Sequence, residues 1–297
     1  MFDLIIVGGG PAGLSAALIL GRCRRRVLLC DAGRPRNGAS RAVHNFLTRE
    51  GTAPDELLRI ARAELRPYEV ELRSVVAKTA SKRRDGFEVR LAGGRRARAR
   101  KLLLATGIRD FCPDIVDIGR FIGRGVYYCS YCDGYTVRDR PLVALGRGVA
   151  GAELALALTT WSSNVLYCTN GTFRPSGKIC ERLGRYRIEV RSERIIRAEG
   201  RKHLERLILK RGGQIPCEGL FIQDGCAPQS DLAAQLGCAF TRRGAVTTRK
   251  GCRTTVDSVF VAGDTADRPH AVIVAAASGA EAAFAINHEL REQDRRL

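Results

Sequence analysis

The chain has no uninterrupted apolar run long enough to cross a bilayer. Its longest candidate, Leu4 to Leu20 (LIIVGGGPAGLSAALIL), follows Asp3, has no basic residue ahead of it and is broken by Gly8, Gly9, Gly10 and Pro11. Neither a membrane span nor a signal peptide is expected. Histidine is scarce: His44, His203, His270 and His288 form no pair, and no second C-x-x-C accompanies the one at 129 to 132. Acidic residues are also few, 31 against 50 Lys and Arg, which leaves a net charge of +19. The excess sits in arginine clusters, RCRRR at 22 to 26, KRR at 82 to 84 and RRARARK at 95 to 101. Such a field steers acidic partners to the surface, or it is a solvated basic face with no specific partner. No helix-turn-helix, RNA-binding or zinc-finger signature accompanies it, so nucleic acid is not expected as a partner. Low-complexity linkers are absent too.

What is present reads as an α/β protein of two domains. The chain has 297 residues, 45% of them apolar, with 32 glycines and few aromatics. Eleven cysteines without a signal sequence point to a reducing, cytoplasmic setting, in which most thiols stay free. FDLIIV, a glycine turn, an Ala/Leu-rich helical stretch and VLLC followed by Asp31 form a β-α-β unit. A hairpin-like region is expected from Val70 to Thr79 and Phe87 to Leu91 around the turn KRRDG, and KLLLA at 101 to 105 is a buried strand. A second β-α-β unit starts at Pro141 with PLVALG, GRGVAG, AELALALTTW and NVLYC. SVFVAGD is a further strand, and a helix from Ala271 to Leu290 closes the chain.

Gly8, Gly10 and Gly13 fill the G-x-G-x-x-G pattern between strand and helix, with Pro11 and Ala12 inside it. The first glycine makes the turn, the second lets the backbone approach a pyrophosphate and the third lets helix and strand pack. Helix N–H groups and dipole then hold the anion. Asp31, at the end of the next strand, is placed to accept from ribose hydroxyls. Gly146, Gly148 and Gly151, with Val149 and Ala150 between them, repeat the pattern. Here the acid is missing: Thr169, Asn170 and Gly171 follow the second strand, and only Arg174 lies within reach of a 2′-phosphate. A dinucleotide fold with an open ligand is expected there.

The stretch YYCSYCDGY at 127 to 135 holds Cys129 and Cys132 with Asp133 directly behind. Such a pair is a redox disulfide, half of a zinc site or two inert thiols. Zinc needs four ligands, and no second pair supplies them. A redox pair works because one thiolate is stabilised and attacks disulfides readily.

GGGPAG with Asp31, Ala105-Thr106-Gly107, C-x-x-C-D-G at 129 to 134, GRGVAGAE, GLFIQDGCAPQS and VFVAGD at 259 to 264 occur in one order over nearly the whole chain. In that order the sequence resembles the low-molecular-weight thioredoxin reductase family of flavoproteins. The resemblance implies two Rossmann-like domains. A discontinuous FAD domain would be formed by 1–113 and 244–297, and a second nucleotide-type domain, 114–243, would carry the C-x-x-C. It implies FAD on the first glycine turn, contacts from Ala105, Thr106, Gly107, Gly263 and Asp264, and the last helix starting at His270 or Ala271 toward the flavin. It implies that Cys132 faces the flavin, that Cys129 is the interchange thiol and that Asp133 passes a proton to the leaving thiolate; a helix-capping Asp133 is the plainer reading. His44 is either a loop histidine or a flavin contact. A homodimer and a domain rotation in each turnover are also implied.

Departures from the family narrow the electron source. The basic His-Arg-Arg cluster that binds NADPH is replaced by YCTNGTFR, and the Arg-Gln before the last helix by Arg268-Pro269-His270. Ser130 and Tyr131 stand between the cysteines in place of a small pair. NADPH is therefore not expected on this pattern. Ferredoxin is one alternative donor, and a second FAD in the NADPH-type site, as in the diflavin-linked disulfide oxidoreductases, is another. LGRCRRRVLLCDAGRPRN and the run after CDGY resemble a side branch with dithiol oxidases that pass electrons to oxygen. Expected partners are an acidic redox protein, thioredoxin or ferredoxin, or a small dithiol or disulfide. A flavin redox sensor without turnover is the other class of function.

Overall fold

The computed structural model describes residues 1–296. The chain divides into two compact units: Met1–Gly38, Asn45–Arg109 and Ala227–Leu297 in one, Ala39–His44 and Asp110–Cys226 in the other.

In the first unit, Phe2–Val7 runs straight into the glycine turn and the helix Pro11–Arg22, and Val27–Asp31 returns parallel to the first strand. Strands buried on both faces need continuous apolar runs, and LIIV and VLLC supply them. The sheet runs Val70–Ser74, Val27–Asp31, Phe2–Val7, Arg96–Leu104, Gly86–Leu91, Ala77–Arg83, with Val259–Val261 also pairing with Arg96–Leu104. The expected hairpin is shorter than the alternation suggested. Ala77–Arg83 pairs antiparallel with Gly86–Leu91, whereas Val70–Ser74 pairs parallel with Val27–Asp31. The chain changes partner at Val75 and Val76: the Val75 N–H donates to Asp31 O, while Val76 O accepts from the Ala92 N–H. One face of the sheet packs on Pro11–Arg22 and on the final helix, Val272–Asp294. Gly279 permits the approach of those helices, because a Cβ there would lie 2.8 Å from the Ala12 carbonyl carbon. The other face packs Leu232, Ala233, Cys238 and Val246 against Ala80, Val89 and Ala97. Residues 227–243 therefore fold with this unit, not with the insert in which they were expected, because their apolar side chains complete its sheet face.

The second unit holds a parallel sheet in the order Glu189–Arg191, Val165–Cys168, Leu142–Gly146, Gly219–Gln223, Val126–Tyr127. A smaller antiparallel sheet, Ile195–Glu199, Arg206–Leu209 and Gln214–Pro216, packs with it around Val143, Leu207 and Ile222. The helix Gly148–Leu158 begins inside the glycine turn. Among the described residues no helix is long and apolar enough to cross a membrane.

Candidate redox and nucleotide sites

Ligand sites of parallel α/β sheets lie beyond the carboxyl ends of the strands. The two-residue strand Val126–Tyr127 delivers the chain to that edge in the second unit, and Cys129 and Cys132 follow two and five residues after Tyr127. Cys129 and Cys132 form a disulfide with Cα atoms 5.3 Å apart. Cys129 is the extended cap of the single turn Ser130–Asp133, and the Cys132 N–H donates to Cys129 Sγ at 3.1 Å. Once the bond is reduced, that N–H would stabilise a thiolate on Cys129. Gly134 lets the turn sit on Trp161, whose Cε3 would lie 2.8 Å from a Cβ. Trp161 thus packs under the motif, with Tyr131 edge-on to it at 5.8 Å between ring centroids. Tyr131 and Tyr135 are 79% and 67% exposed, and the Arg138 guanidinium lies 4.2 Å from the Tyr135 ring centroid.

Asp133 is half-buried beside the disulfide, and burial pushes its carboxyl up from 3.8 to about 6, while the charge of His44 acts in the opposite sense. His44 belongs to the second unit through Ala39–His44. There its charge reaches Asp133, a role that the loop-or-flavin reading of the sequence did not contain.

In the first unit the structure gathers residues from both ends of the chain. Gly8 has φ +113, and a Cβ there would lie 3.2 Å from Thr106 N; the Gly8 N–H donates to Cys30 O and the Ala105 N–H to Val7 O, each at 2.8 Å. Gly10 faces open space, with nothing within 4 Å of a Cβ. Pro11 and Ala12 start a helix that no side chain caps, and Gly13 packs against the Gly8 carbonyl. Asp31 accepts from the Gly33 N–H at 3.0 Å and from Arg62 at 2.7 Å. Thr106 lies 3.4 Å from the Thr265 hydroxyl, which donates to Gly107 O at 3.3 Å. The Gly263 N–H donates to Ser278 Oγ at 2.8 Å, and Asp264 pairs with Arg36 at 2.9 Å. His270 and Ala271 lead into the final helix, whose start is also uncapped by a side chain. Neither arginine partner was singled out in the sequence; both lie far along the chain from the acids they meet.

The second glycine turn repeats the first. Gly148 faces open space like Gly10, and Gly151 packs on Gly146 as Gly13 packs on Gly8. Val149 and Ala150 fill the first turn of the helix. A Cβ on Gly146 would lie 3.0 Å from Gln223 O, so Gln223-Asp224-Gly225 takes the place that Ala105-Thr106-Gly107 takes in the first unit. The strand registers extend the match: Val7 pairs with Cys30 before Asp31, and Leu145 pairs with Cys168 before Thr169. Thr169 is therefore the counterpart of Asp31. Among the described residues no group of three or more His, Cys, Asp and Glu side chains is placed to hold a metal.

An open glycine turn on an uncapped helix with an acid at the adjoining strand end, a second open glycine turn without that acid, and a disulfide with a high-pKa carboxyl beside it define the class of flavin-linked disulfide oxidoreductases. The chain belongs to the pyridine nucleotide-disulphide oxidoreductase family, whose profile matches residues 2–279. It is 31% identical over 332 aligned positions to a probable thioredoxin reductase of Arthroderma benhamiae, covering 98% of this chain and 81% of that protein. The crystal structure assigned to thioredoxin reductase TrxB of Bacillus anthracis superposes with a TM-score of 0.93 at 30% identity, with 100% of both chains covered. That of an oxidoreductase from Agrobacterium tumefaciens gives 0.91 at 32% identity, covering 97% of this chain and 98% of the other. The protein is thus a thioredoxin reductase-like disulfide oxidoreductase.

Proposed function

We propose that this protein moves electron pairs between FAD and an external dithiol or disulfide through Cys129 and Cys132, with Asp133 as the proton-carrying group. The observation that carries this reading is the disulfide at the carboxyl edge of a parallel sheet with Asp133 raised to about 6 beside it. The residues of the first unit fit the flavin dinucleotide. Gly10 leaves room for the pyrophosphate, Asp31 accepts from ribose hydroxyls, and Asp264 and the helix start at Ala271 line the same cradle. FAD, when bound, supplies the two-electron exchange with the cysteine pair.

In the reducing direction the Cys129 thiolate attacks one sulfur of the substrate disulfide. The substrate S–S bond breaks, a mixed disulfide forms, and the departing thiolate takes the proton held by Asp133. The Cys132 thiolate then attacks Cys129 Sγ, re-forming the internal disulfide and releasing the second substrate thiolate, which is protonated from solvent. The hydrogen bond from the Cys132 N–H favours Cys129 as the attacking group. An acidic thioredoxin-type protein suits the charge of +19, and a small dithiol is the other substrate class. The protein works as a cytoplasmic homodimer. Its donor does not use the basic cluster of NADPH-dependent reductases, since YCTNGTFR stands there; ferredoxin and a second FAD on the Gly146–Gly151 turn are the candidates.

The test is to count flavins per subunit, then titrate oxidised protein without oxygen with NADPH, NADH and reduced ferredoxin while following flavin bleaching. Bleaching by ferredoxin, with no rapid response to NADPH, is expected. Rapid bleaching by NADPH overturns the donor assignment, and fast reoxidation by air with peroxide release would make the protein a dithiol oxidase. Cys129→Ser and Cys132→Ser should each abolish disulfide turnover while leaving FAD bound.

A further inference from the structure

The second glycine turn differs from the first at two positions that face each other. In the first turn Gly9 stands beside Asp31: a Cβ on it would lie 2.7 Å from Asp31 Cβ. An acid at the strand end therefore requires glycine in the middle of the turn. In the second turn the acid is Thr169 and the middle residue is Arg147. Without the carboxylate the middle position is free to carry a side chain, and the one it carries is a cation.

Two features of these residues point to a ligand. Thr169 is 1% exposed, yet its hydroxyl has no hydrogen-bond partner, and a buried hydroxyl left unmatched is destabilising. It lies two residues after Tyr167, hence on the same face of the strand, and Tyr167 donates from its hydroxyl to Gly146 O and Gly148 O, at 3.3 and 3.2 Å. Thr169 thus faces the side of the sheet on which the glycine turn sits. Arg147 is the extended cap of Gly148–Leu158, a helix with no side-chain cap, and its guanidinium pairs with Asp224 at 3.0 Å. Asp224 follows the neighbouring strand, on the opposite side of Leu142–Gly146 from Thr169, so the pair reaches from the turn toward the position that Thr106 holds in the first unit.

We infer that Arg147 is the anion ligand of this turn. It meets the phosphates of an adenosine dinucleotide, Asp224 holds it while the turn is empty, and the Thr169 hydroxyl hydrogen-bonds the adenosine ribose in place of a carboxylate. This inference rests on the reading of the Gly146–Gly151 turn as a second nucleotide site. A neutral threonine has no charge with which to repel a 2′-phosphate, so the turn accepts 2′-hydroxyl and 2′-phosphate forms alike. The shared chemistry is the pyrophosphate diester; FAD, NADH and NADPH are its possible sources.

Calorimetry of oxidised, FAD-loaded protein carrying Cys129→Ser tests this apart from disulfide turnover. The probes are ADP-ribose, 2′-phospho-ADP-ribose and FAD. Both ribose probes should bind with affinities within a few-fold of each other; further uptake of FAD would identify the diflavin source, whereas binding of the ribose probes without FAD uptake would point to a nicotinamide source and overturn the donor assignment while leaving the role of Arg147 standing. Arg147→Gly, which restores the residue found in the first turn, should weaken binding about ten-fold or more, as expected for loss of a charge-assisted phosphate contact. Asp224→Asn frees Arg147 and should tighten binding about two- to five-fold, the range of an exposed ion pair. Arg147→Gly with Thr169→Asp transplants the first turn's arrangement and should reject the 2′-phospho probe while keeping ADP-ribose. Binding unchanged by Arg147→Gly, or no tightening with Asp224→Asn, overturns the role of Arg147. Failure of all three probes to bind removes the site, with the Cys129–Cys132 chemistry untouched.

Discussion

Asp133 is the residue on which proton handling turns. Its carboxyl is raised to about 6 chiefly by burial, so below that pH it carries the proton that a departing thiolate needs. Substrate disulfide reduction should therefore fall as pH rises through about 6. Asp133→Asn should be slower by about 10²–10⁴-fold, the usual worth of a positioned acid, and flat across that interval, as read by stopped flow. A capping role alone survives the change to Asn and leaves rate and profile intact. The same shift has a stability consequence of opposite sign to that of a salt-bridged carboxylate. The folded state binds the proton more tightly than the unfolded chain, so the cost of holding Asp133 charged is fully present above about 6 and disappears as pH falls toward 3.8. Asp133→Asn should accordingly flatten this part of the stability profile in urea titrations between those pH values.

At the level of elements, both β-α-β units were legible because their signals are local: an apolar run, a glycine turn and a helical stretch lie consecutively in the chain. Pairings between distant segments were not. Val70–Ser74 reads as a hairpin arm by its alternation, but its partner, Val27–Asp31, is reached only through a parallel crossover. Residues 227–243 carry too short an apolar pattern to announce which sheet they cover. The counterpart of Asp31 in the second unit was legible as an absence of acid, and Arg147 in place of Gly9 can be read by aligning the two glycine patterns; that Thr169 is the equivalent position, and is buried with its hydroxyl unpartnered, emerges only from the structure. The final helix gives the sharpest test of element packing. Gly279 lies against the Ala12 backbone in the helix that follows the first glycine turn, so a larger side chain must push two helices apart. Gly279→Val should destabilise by about 1–3 kcal/mol, typical of overpacking, and should release flavin at lower temperature than the parent, seen as a rise in free-FAD fluorescence.

On the scale of the molecule, the charge of +19 matters only if it acts at a distance. Raising ionic strength from about 0.01 to 1 M shortens the Debye length from about 30 to 3 Å. The rate with an acidic protein substrate should fall steeply over that range, while the rate with a small neutral dithiol stays nearly constant; equal responses would make the arginine clusters a solvated face. The partition into two units makes a separate prediction. Each of the four apolar clusters draws all its residues from one unit: those around Leu4 and Leu102 from the first, those around Val143 and Tyr167 from the second. A ligand stabilises what it binds by mass action, about 2.7 kcal/mol at a hundred times its Kd. FAD should therefore raise the melting transition of the first unit. A ligand of the Gly146–Gly151 turn should raise that of the second, and Arg147→Gly should remove only the latter shift. Calorimetric scans of stripped protein, reloaded with FAD and then given ADP-ribose, would resolve the two. A single transition displaced equally by either ligand would mean that the units unfold together, and binding energy spent on one would then be shared by both.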